Sequence, residues 1–414
     1  MAWMTFRGRG TAIGYRPPTT GCRTFTSEPW GFSPREAEDP PGLKPWGSGW
    51  KQARSSGSPA RTRRVNGDPP GRLPGPDADT LDDMTRRGRI GTVGGLLVLM
   101  VGLAIPASAQ LVFEAAGERA LGMAGAFVAV ADDATAVHWN PAGLSAGQLA
   151  GVTIGWHQFQ VGNQDAWPTD DVRRGRSTFT SLGTWPIGIA YGTTQRHRVS
   201  PGPGAGDVLS GESLRVSHVG VTVLQTVMEG LVVGSTVKFM RGSAAGGDVD
   251  APTAGQALDR LADFDGRSRF TVDLDLGLMA SAPHVRLGLA VKNLRAPEFG
   301  DGANGVAIRL PRQTRMGLAV LPADGLTLAM DLDLNTVDLM GDLRRMLAAG
   351  GEWALGSRIQ VRSGVRWNLA LDRRVTGAVG ASVSVRQGLW IDGHYGRGQA
   401  DESREFGVAL RAGF

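Results

Sequence analysis

From residue 149 onward the chain alternates apolar with polar or small residues, and this pattern most restricts what it can fold into. Over 270–279 apolar residues occupy the even positions, while Thr271, Asp273 and Asp275 occupy odd ones. The same alternation recurs over 285–292, 326–335 and 359–369. A period of two is that of a β-strand, because successive side chains point to opposite sides. The body of the chain is therefore predicted to be all-β.

Two β architectures use such strands. In a soluble sandwich the apolar face is the core, whereas in a transmembrane barrel it meets lipid and the polar face lines the lumen. The segments here approach the tilted length that crosses a bilayer. The last one, 404–414, ends on the aromatic Phe414 and resembles the terminal signal read by the barrel-assembly machinery of the outer membrane. These features favour a transmembrane antiparallel β-barrel, residues 149–414, over a sandwich.

The barrel is predicted to have about fourteen strands, an even number as in bacterial barrels. Their predicted spans are 149–161, 176–185, 187–196, 212–225, 230–241, 267–281, 284–296, 306–321, 326–339, 346–356, 359–369, 373–386, 389–398 and 404–414. Short connections, predicted to be periplasmic, alternate with longer ones predicted to be extracellular, at 162–175, 197–211, 242–266, 297–305, 340–345 and 399–403.

Two of the long connections contain amphipathic stretches that predict short helices, at 254–263 and at 339–347. Such helices either form a surface that captures a ligand or pack against their own loops, and the second interpretation is favoured.

The alternation places charged side chains toward the lumen. They are Asp273, Asp275, Arg286, Lys292, Arg315, Asp331, Asp333, Arg362, Arg366 and Arg411. They either pair across the interior, as a network that packs the lumen, or line a polar path for permeation. The packing interpretation is favoured.

A secretion signal is predicted over residues 84–109. A basic stretch, 85–89, precedes the apolar run 90–105, and Ala107 and Ala109 form an A-x-A cleavage site that places the mature start at Gln110. The alternative, a transmembrane helix, is disfavoured because the run is close to the minimum spanning length and is weakened by five glycines, Gly88 just before it and four within it. The protein is therefore expected in the bacterial outer membrane.

Residues 1–83 are rich in Pro, Arg, Gly and Ser, with 12 of the 23 prolines and the single cysteine, Cys22. This leader is either a disordered basic tail or a stretch upstream of the true start at Met84, and the second is preferred because a signal peptide belongs at the N-terminus.

The chain has a net charge of +5, and its positive excess lies in the first 109 residues, which hold 15 basic and 9 acidic side chains. The remainder holds 29 basic and 30 acidic side chains, so a nucleic-acid partner is not predicted. Six scattered histidines and no catalytic motif predict neither a metal site, nor a cofactor, nor an enzyme.

Between the signal and the strands lies a segment, 110–148, with closely spaced small residues, Asp132 and Asp133, and then the sequence Trp139-Asn140-Pro141-Ala142-Gly143. One of the two aspartates is predicted to cap a short helix over 134–139, and Pro141 restricts Asn140 to an extended conformation. The run from Ala120 to Leu144 closely resembles the N-terminal signature of the FadL/PorV superfamily of outer-membrane proteins. Its motif residues are closer to those of the PorV branch.

The resemblance implies that this segment is a hatch inside a 14-stranded barrel. It implies two functions: FadL-type proteins take hydrophobic small molecules such as long-chain fatty acids from outside and release them laterally into membrane lipid, whereas PorV-type proteins bind the proteins of a secretion system. Hydrophobic uptake is the first choice, and a purely structural outer-membrane protein is a third. Asn140 is predicted to anchor the hatch to barrel backbone, and a wall opening is predicted near Ser217–His218 or at Trp185-Pro186.

Overall fold

The computed structural model describes residues 113–202, 208–300, 306–370, 374–399 and 402–414. The predicted leader, the signal peptide and the cleavage residues Ala107, Ala109 and Gln110 lie outside these ranges. Among the described residues no helix has both the length and the apolar character needed to cross a membrane.

Fourteen antiparallel strands close into a barrel, so the predicted fold class is confirmed. The barrel strands are β1 (Ala150–Val161), β2 (Val172–Thr184), β3 (Ile187–Pro201), β4 (Leu209–Met228), β5 (Leu231–Val249), β6 (Arg269–Ser281), β7 (Val285–Lys292), β10 (Gln313–Ala323), β11 (Leu326–Asp333), β14 (Met346–Leu355), β15 (Ile359–Asn368), β16 (Val375–Arg386), β17 (Leu389–Gly398) and β18 (Arg404–Gly413). Each pairs with the next in the chain, and β1 pairs with β18 to close the wall.

Two small hairpins stand outside the barrel sheet: β8 (Glu298–Gly300) with β9 (Ala307–Arg309), and β12 (Val337–Leu339) with β13 (Asp342–Arg344). They correct two predicted strands. The span 306–321 is divided into β9 and β10, because Pro311 between them has no N–H to donate to a ladder. The span 326–339 likewise divides into β11 and β12.

The helix predicted over 339–347 was wrong, because this stretch forms the β12–β13 hairpin. The turn consists of Met340 and Gly341, whose φ angles are +51° and +75°. Two successive residues with positive φ are typical of the turns that match the twist of paired strands. The local backbone geometry therefore outweighs the helical spacing of the apolar side chains.

Strands β2 to β5 reach further than predicted, so the connections at 162–175, 197–211 and 242–266 are shorter than expected. The ladder between β4 and β5 continues to the pair formed by Leu209 and Val249. Beyond the bilayer a strand no longer needs an apolar outer face, so the alternation fades while the backbone pairing goes on. The wall is consequently taller on this side than at β7 and β11.

The outer face of the wall carries the apolar residues that the alternation predicted. Many are strongly exposed, among them Ile154, Ile189, Val223, Leu328, Val379 and Leu410. Exposed apolar side chains on every second residue form the surface that a barrel presents to lipid.

A helix, α3 (Ala254–Leu261), lies in the β5–β6 connection, as predicted. Thr253 caps it by accepting a hydrogen bond from the N–H of Gln256 at 3.3 Å. Its apolar side chains are buried against Val199, Leu209 and Val249 at the ends of the tall strands. The apolar face of the helix is therefore used in packing its own loop.

Neither predicted wall opening is present. The ladder between β3 and β4 runs without a register shift through Ser217 and His218. Trp185-Pro186 lies in the turn between β2 and β3 and interrupts no strand. Both predictions were wrong, since a polar face change does not by itself break backbone pairing.

Residues 113–146, which we call the hatch, lie inside the barrel. The hatch contains 3₁₀ turns at Phe113–Ala115 and Pro141–Ala146 and two short helices, α1 (Glu118–Gly122) and α2 (Ala136–Trp139). Helix α1 contacts β15 to β18, α2 contacts β2 and β3, and the last turn contacts β4 to β6. Contacts with the wall on all these sides place the hatch in the lumen.

Candidate functional site

The hatch is organised around the indole of Trp139, which is fully buried. Its Nε1 donates to the carbonyl oxygen of Ala116 at 2.9 Å, and the rings of Phe113 and Phe127 lie 5.6 and 5.9 Å from it. Asp133 accepts hydrogen bonds from the N–H and hydroxyl of Thr135, the residue before α2. The hatch thus has a small apolar core of its own, and Asp133 fixes the turn that leads into α2, although no side chain caps the helix itself.

Asn140 joins the hatch to the wall. Its Nδ2 donates to the carbonyl oxygen of Leu278 on β6 at 3.1 Å and to that of Val128 in the hatch at 2.9 Å. Its Oδ1 accepts from the N–H of Ala142 at 3.2 Å, and its φ of −154° is extended. The fully buried side-chain amide of Asn140 therefore bonds to two carbonyl oxygens and caps the 3₁₀ turn that begins at Pro141.

The last turn of the hatch fits only because residues there are small. A Cβ on Gly143 would lie 2.0 Å from the carbonyl oxygen of Ala131. On the wall, a Cβ on Gly277 would lie 2.2 Å from Oδ1 of Asn140, and one on Gly234 would lie 2.5 Å from the nitrogen of Ala142. The backbone of the hatch therefore rests directly on the backbone of β5 and β6.

Further wall glycines make room for the hatch elsewhere. They are Gly288 on β7, Gly350 on β14 and Gly364 on β15, where an added Cβ would lie within 2.5 Å of a hatch carbonyl oxygen. This role was not predicted from the sequence. The available signal was a glycine in the lumen-facing register of several strands.

Arg119 on α1 is the centre of the largest group of charges between hatch and wall. Its guanidinium forms a two-pronged pair with Glu352 on β14, at 2.8 and 2.7 Å. It also contacts Asp132 at 2.5 Å and Asp133 at 3.1 Å within the hatch. Both aspartates of the hatch therefore contact one arginine, which the sequence pattern did not indicate as a site residue.

A second group holds the start of the hatch. Arg315 on β10 bonds to Asp333 on β11 at 2.7 Å and to Glu114 of the hatch at 2.9 Å. Asp331 accepts the backbone N–H groups of Phe127 and Val128, at 2.9 and 2.8 Å. Predicted lumen-facing charges here act as hydrogen-bond acceptors for the hatch backbone.

The other predicted lumen-facing charges also point inward, though not to one place. Lys238 lies 2.8 Å from Asp273 and 2.7 Å from Asp275. The remaining pairs are Arg286 with Asp132, Arg362 with Glu352, Arg366 with Glu405 and Arg411 with Asp392, while Lys292 lies 2.9 Å from Nε2 of His138. Most of these charges are therefore paired, as lumen packing requires.

Burial affects the acidic groups of the hatch in different ways. For Glu118, which forms no ion pair with any of the described residues, burial raises the pKa to about 8. For Glu114, burial acts in the same sense, but Arg315 and Arg344 outweigh it and hold the pKa of this carboxyl well below its usual range. The hatch thus contains one carboxyl that favours the neutral form and one that stays charged.

A cavity lies between the hatch and the end of the barrel that carries the longer loops. It contains about 940 Å³ of empty space, counting the part open to solvent. Glu114 bounds it below, Leu339 and Met340 of the β12–β13 hairpin bound it above, and Phe159 lies at its side. Seven arginines and three carboxylates also line it. The space is thus largely polar and cationic.

The described residues contain no group of three or more His, Cys, Asp or Glu side chains arranged to hold a metal ion. The rings of His157 on β1 and His394 on β17 lie 5.4 Å apart between their centroids, but these two histidines alone do not form such a group.

One family model matches part of the chain, and solved structures match about three quarters of it. The family model described as "F plasmid transfer operon, TraF, protein" matches residues 208–333. No curated protein sequence matches the chain. The toluene transporter TbuX of Ralstonia pickettii superimposes with a TM-score of 0.53 at 16% identity, over 73% of this chain and 100% of that one.

A second solved structure, the CymD monoaromatic hydrocarbon channel, superimposes with a TM-score of 0.50 at 15% identity, over 72% of this chain and 97% of that one. The chain shares the fold of these barrels.

Proposed function

We propose that the protein is an outer-membrane barrel for the uptake of hydrophobic compounds, with the hatch controlling passage. The observation that carries this proposal is a closed 14-stranded barrel with an apolar outer face, a packed hatch inside it and an open cavity beside the hatch. The shared fold with TbuX, a toluene transporter, and CymD, a monoaromatic hydrocarbon channel, supports the same choice.

In this mechanism an apolar molecule leaves water by the hydrophobic effect and enters the cavity at the outer end of the barrel. The hatch then blocks the lumen, because it contacts the wall on many sides and leaves little open space below the cavity. Passage consequently requires the hatch, or part of it, to separate from the wall. The hatch has an apolar core of its own around Trp139, and its backbone rests on wall glycines such as Gly234 and Gly277, which favours movement as one unit.

The uptake role is tested by expressing the barrel in a bacterial host and measuring the entry of radiolabelled toluene. Entry should exceed that of the same host with an empty vector. Equal rates would contradict hydrophobic uptake. If a stoichiometric protein instead purifies with the barrel and no apolar molecule does, the secretion role of PorV-type proteins is supported.

The role of the hatch is tested by a reversible cross-link. A Cβ on Gly151 of β1 would lie 3.8 Å from the Cβ of Ala134 in the hatch, the separation found in disulfides. No other heavy atom lies closer than 3.4 Å, so a cysteine fits there. The double variant Ala134→Cys/Gly151→Cys should lose uptake when oxidised and regain it on reduction, whereas either single variant should keep it. Equal uptake by the oxidised and reduced forms would contradict a moving hatch.

A further inference from the structure

The cavity beside the hatch has an excess of positive charge that its own carboxylates do not balance. Its three acids are Glu114, Asp342 and Glu405. Each of them already bonds to an arginine: Glu114 to Arg344, Asp342 to Arg173 and Arg344, and Glu405 to Arg366. Arg198, also in the lining, pairs with Asp171 and Glu212 outside the cavity, whereas Arg196 has no ion pair among the described residues.

Arg196 on β3 is the clearest case. Its side chain is only 9% exposed, and its guanidinium carbon lies 4.8 Å from the ring centre of Phe159. Its buried Nε has no hydrogen-bond partner, and none of the ion pairs among the described residues includes it. A buried guanidinium without an anion is costly, so such a group points to a ligand that supplies the missing charge.

Two further side chains offer unused hydrogen-bonding atoms to the same cavity. Arg366 on β15 is 6% exposed, and although one nitrogen bonds to Glu405, its Nε and Nη1 have no partner. His157 on β1 is 3% exposed, and neither ring nitrogen has a partner. Strands β3 and β15 lie nearly opposite each other in the order of the wall, with β1 between them. Donors thus converge on the space from several sides.

The apolar side chains of the cavity complete the chemistry. Phe159, Leu339, Met340 and Met346 line it beside the arginines. A guanidinium binds a carboxylate through charge-assisted hydrogen bonds, whereas an uncharged hydrocarbon would leave these donors unsatisfied. The lining therefore suits a molecule with an anionic group and a compact apolar body.

We propose that this cavity is a binding site for small organic carboxylates with an apolar body, in which Arg196 binds the carboxylate, assisted by Arg366 and His157. The proposal rests on the proposed uptake function and deepens it: the cavity binds an organic acid more tightly than a neutral compound of similar size. Phe159 and the methionines contact the apolar part of the ligand.

The test is equilibrium binding to the purified full barrel in detergent, measured by isothermal titration calorimetry. Benzoate is the probe, and benzamide is its neutral control of equal shape. Benzoate should bind and benzamide should bind at least ~10-fold more weakly, since a charge-assisted hydrogen bond is much stronger than a neutral one. Equal binding of the two, or no binding of benzoate, would overturn the proposal.

Variants locate the site. Arg196→Met keeps the apolar stem over Phe159 and should weaken benzoate binding at least ~10-fold. Arg196→Lys keeps the charge and should retain part of the affinity. Arg260→Met removes an exposed arginine on α3, outside the cavity, and should leave benzoate binding unchanged. Unchanged binding in Arg196→Met, in a barrel that folds as the parent does, would contradict the assignment.

The two experiments distinguish a failure of the carboxylate site from a failure of the uptake function. If benzoate binds through Arg196 but no compound enters cells, the site stands and the uptake function is wrong. If toluene enters at the same rate in the parent and in Arg196→Met while benzoate does not bind, uptake stands and the carboxylate site is wrong.

Discussion

Arg119 of the hatch and Glu352 of β14 form a buried two-pronged ion pair, with both nitrogen–oxygen distances below 2.9 Å. The two residues lie 233 positions apart in the chain. Removing one partner of such a pair leaves an uncompensated buried charge, which costs more than the pair itself contributes.

We expect Arg119→Met to destabilise the folded barrel by about 3 to 5 kcal/mol, the usual cost of breaking a buried pair. Urea unfolding in detergent measures the free energy. The double variant Arg119→Met/Glu352→Gln should recover part of this loss, because it removes one of the three carboxylates that lose their contact with Arg119. If both variants lose the same stability, the pair is not coupled.

Asn140→Ala should leave the barrel assembled but loosen the last turn of the hatch. The variant loses the hydrogen bonds to the carbonyls of Leu278 and Val128 and leaves both buried oxygens unsatisfied. Hydrogen exchange of the hatch amides should be faster, and uptake should fall, while heat-modifiable migration on gels stays that of a folded barrel. Parental exchange and uptake would argue against an anchoring role.

Two wall glycines give a matched test of close packing. Gly277→Ala brings a Cβ to 2.2 Å from Asn140, whereas Gly377→Ala on β16 adds a Cβ with no atom within 4 Å. The first should destabilise the barrel by about 1 to 3 kcal/mol, as overpacking does, and the second should change little. Thermal unfolding midpoints of both variants give the comparison. Equal midpoints would mean that the hatch shifts to accommodate the added methyl group without loss of stability.

Glu118 makes stability depend on pH. Because burial raises its pKa from 4.5 to about 8, the folded state binds a proton that the unfolded state has released. Its contribution is therefore full below the unfolded pKa and is lost as the pH rises from about 4.5 to about 8.

Glu118→Gln, which stays neutral, should lack this fall. Urea midpoints of the parent and the variant across the same pH range give the comparison. The difference between the two proteins should widen as the pH rises, and a difference that stays constant would show that Glu118 does not titrate in this window.

The strand number, the lumen-facing charges and helix α3 could be predicted because each depends on a local period. A strand between lipid and lumen must alternate, and Asp273 or Arg366 follows from counting along it. The extensions of β4 and β5 were missed because strands beyond the bilayer are free of that requirement. The β12–β13 hairpin was missed because its turn depends on the backbone of Met340 and Gly341.

The site itself depends on which strands face one another. Gly277 contacts Asn140, and Arg196 shares a cavity with Arg366, only because of the register and the closure of the wall. No short stretch of sequence contains both members of either relationship. Alternation could therefore place Arg366 toward the lumen without indicating which arginine lies opposite.

The seam between β1 and β18 pairs Gly151 with Gly413, about 260 residues apart. Contacts of such long sequence separation form late, since the whole intervening chain must first be ordered. The hatch precedes β1 and is enclosed on all sides once the seam has formed. The order of folding therefore matters, because the hatch has to pack against the curved sheet before β1 and β18 pair. If the barrel closed first, the hatch would find no gap between strands through which to enter.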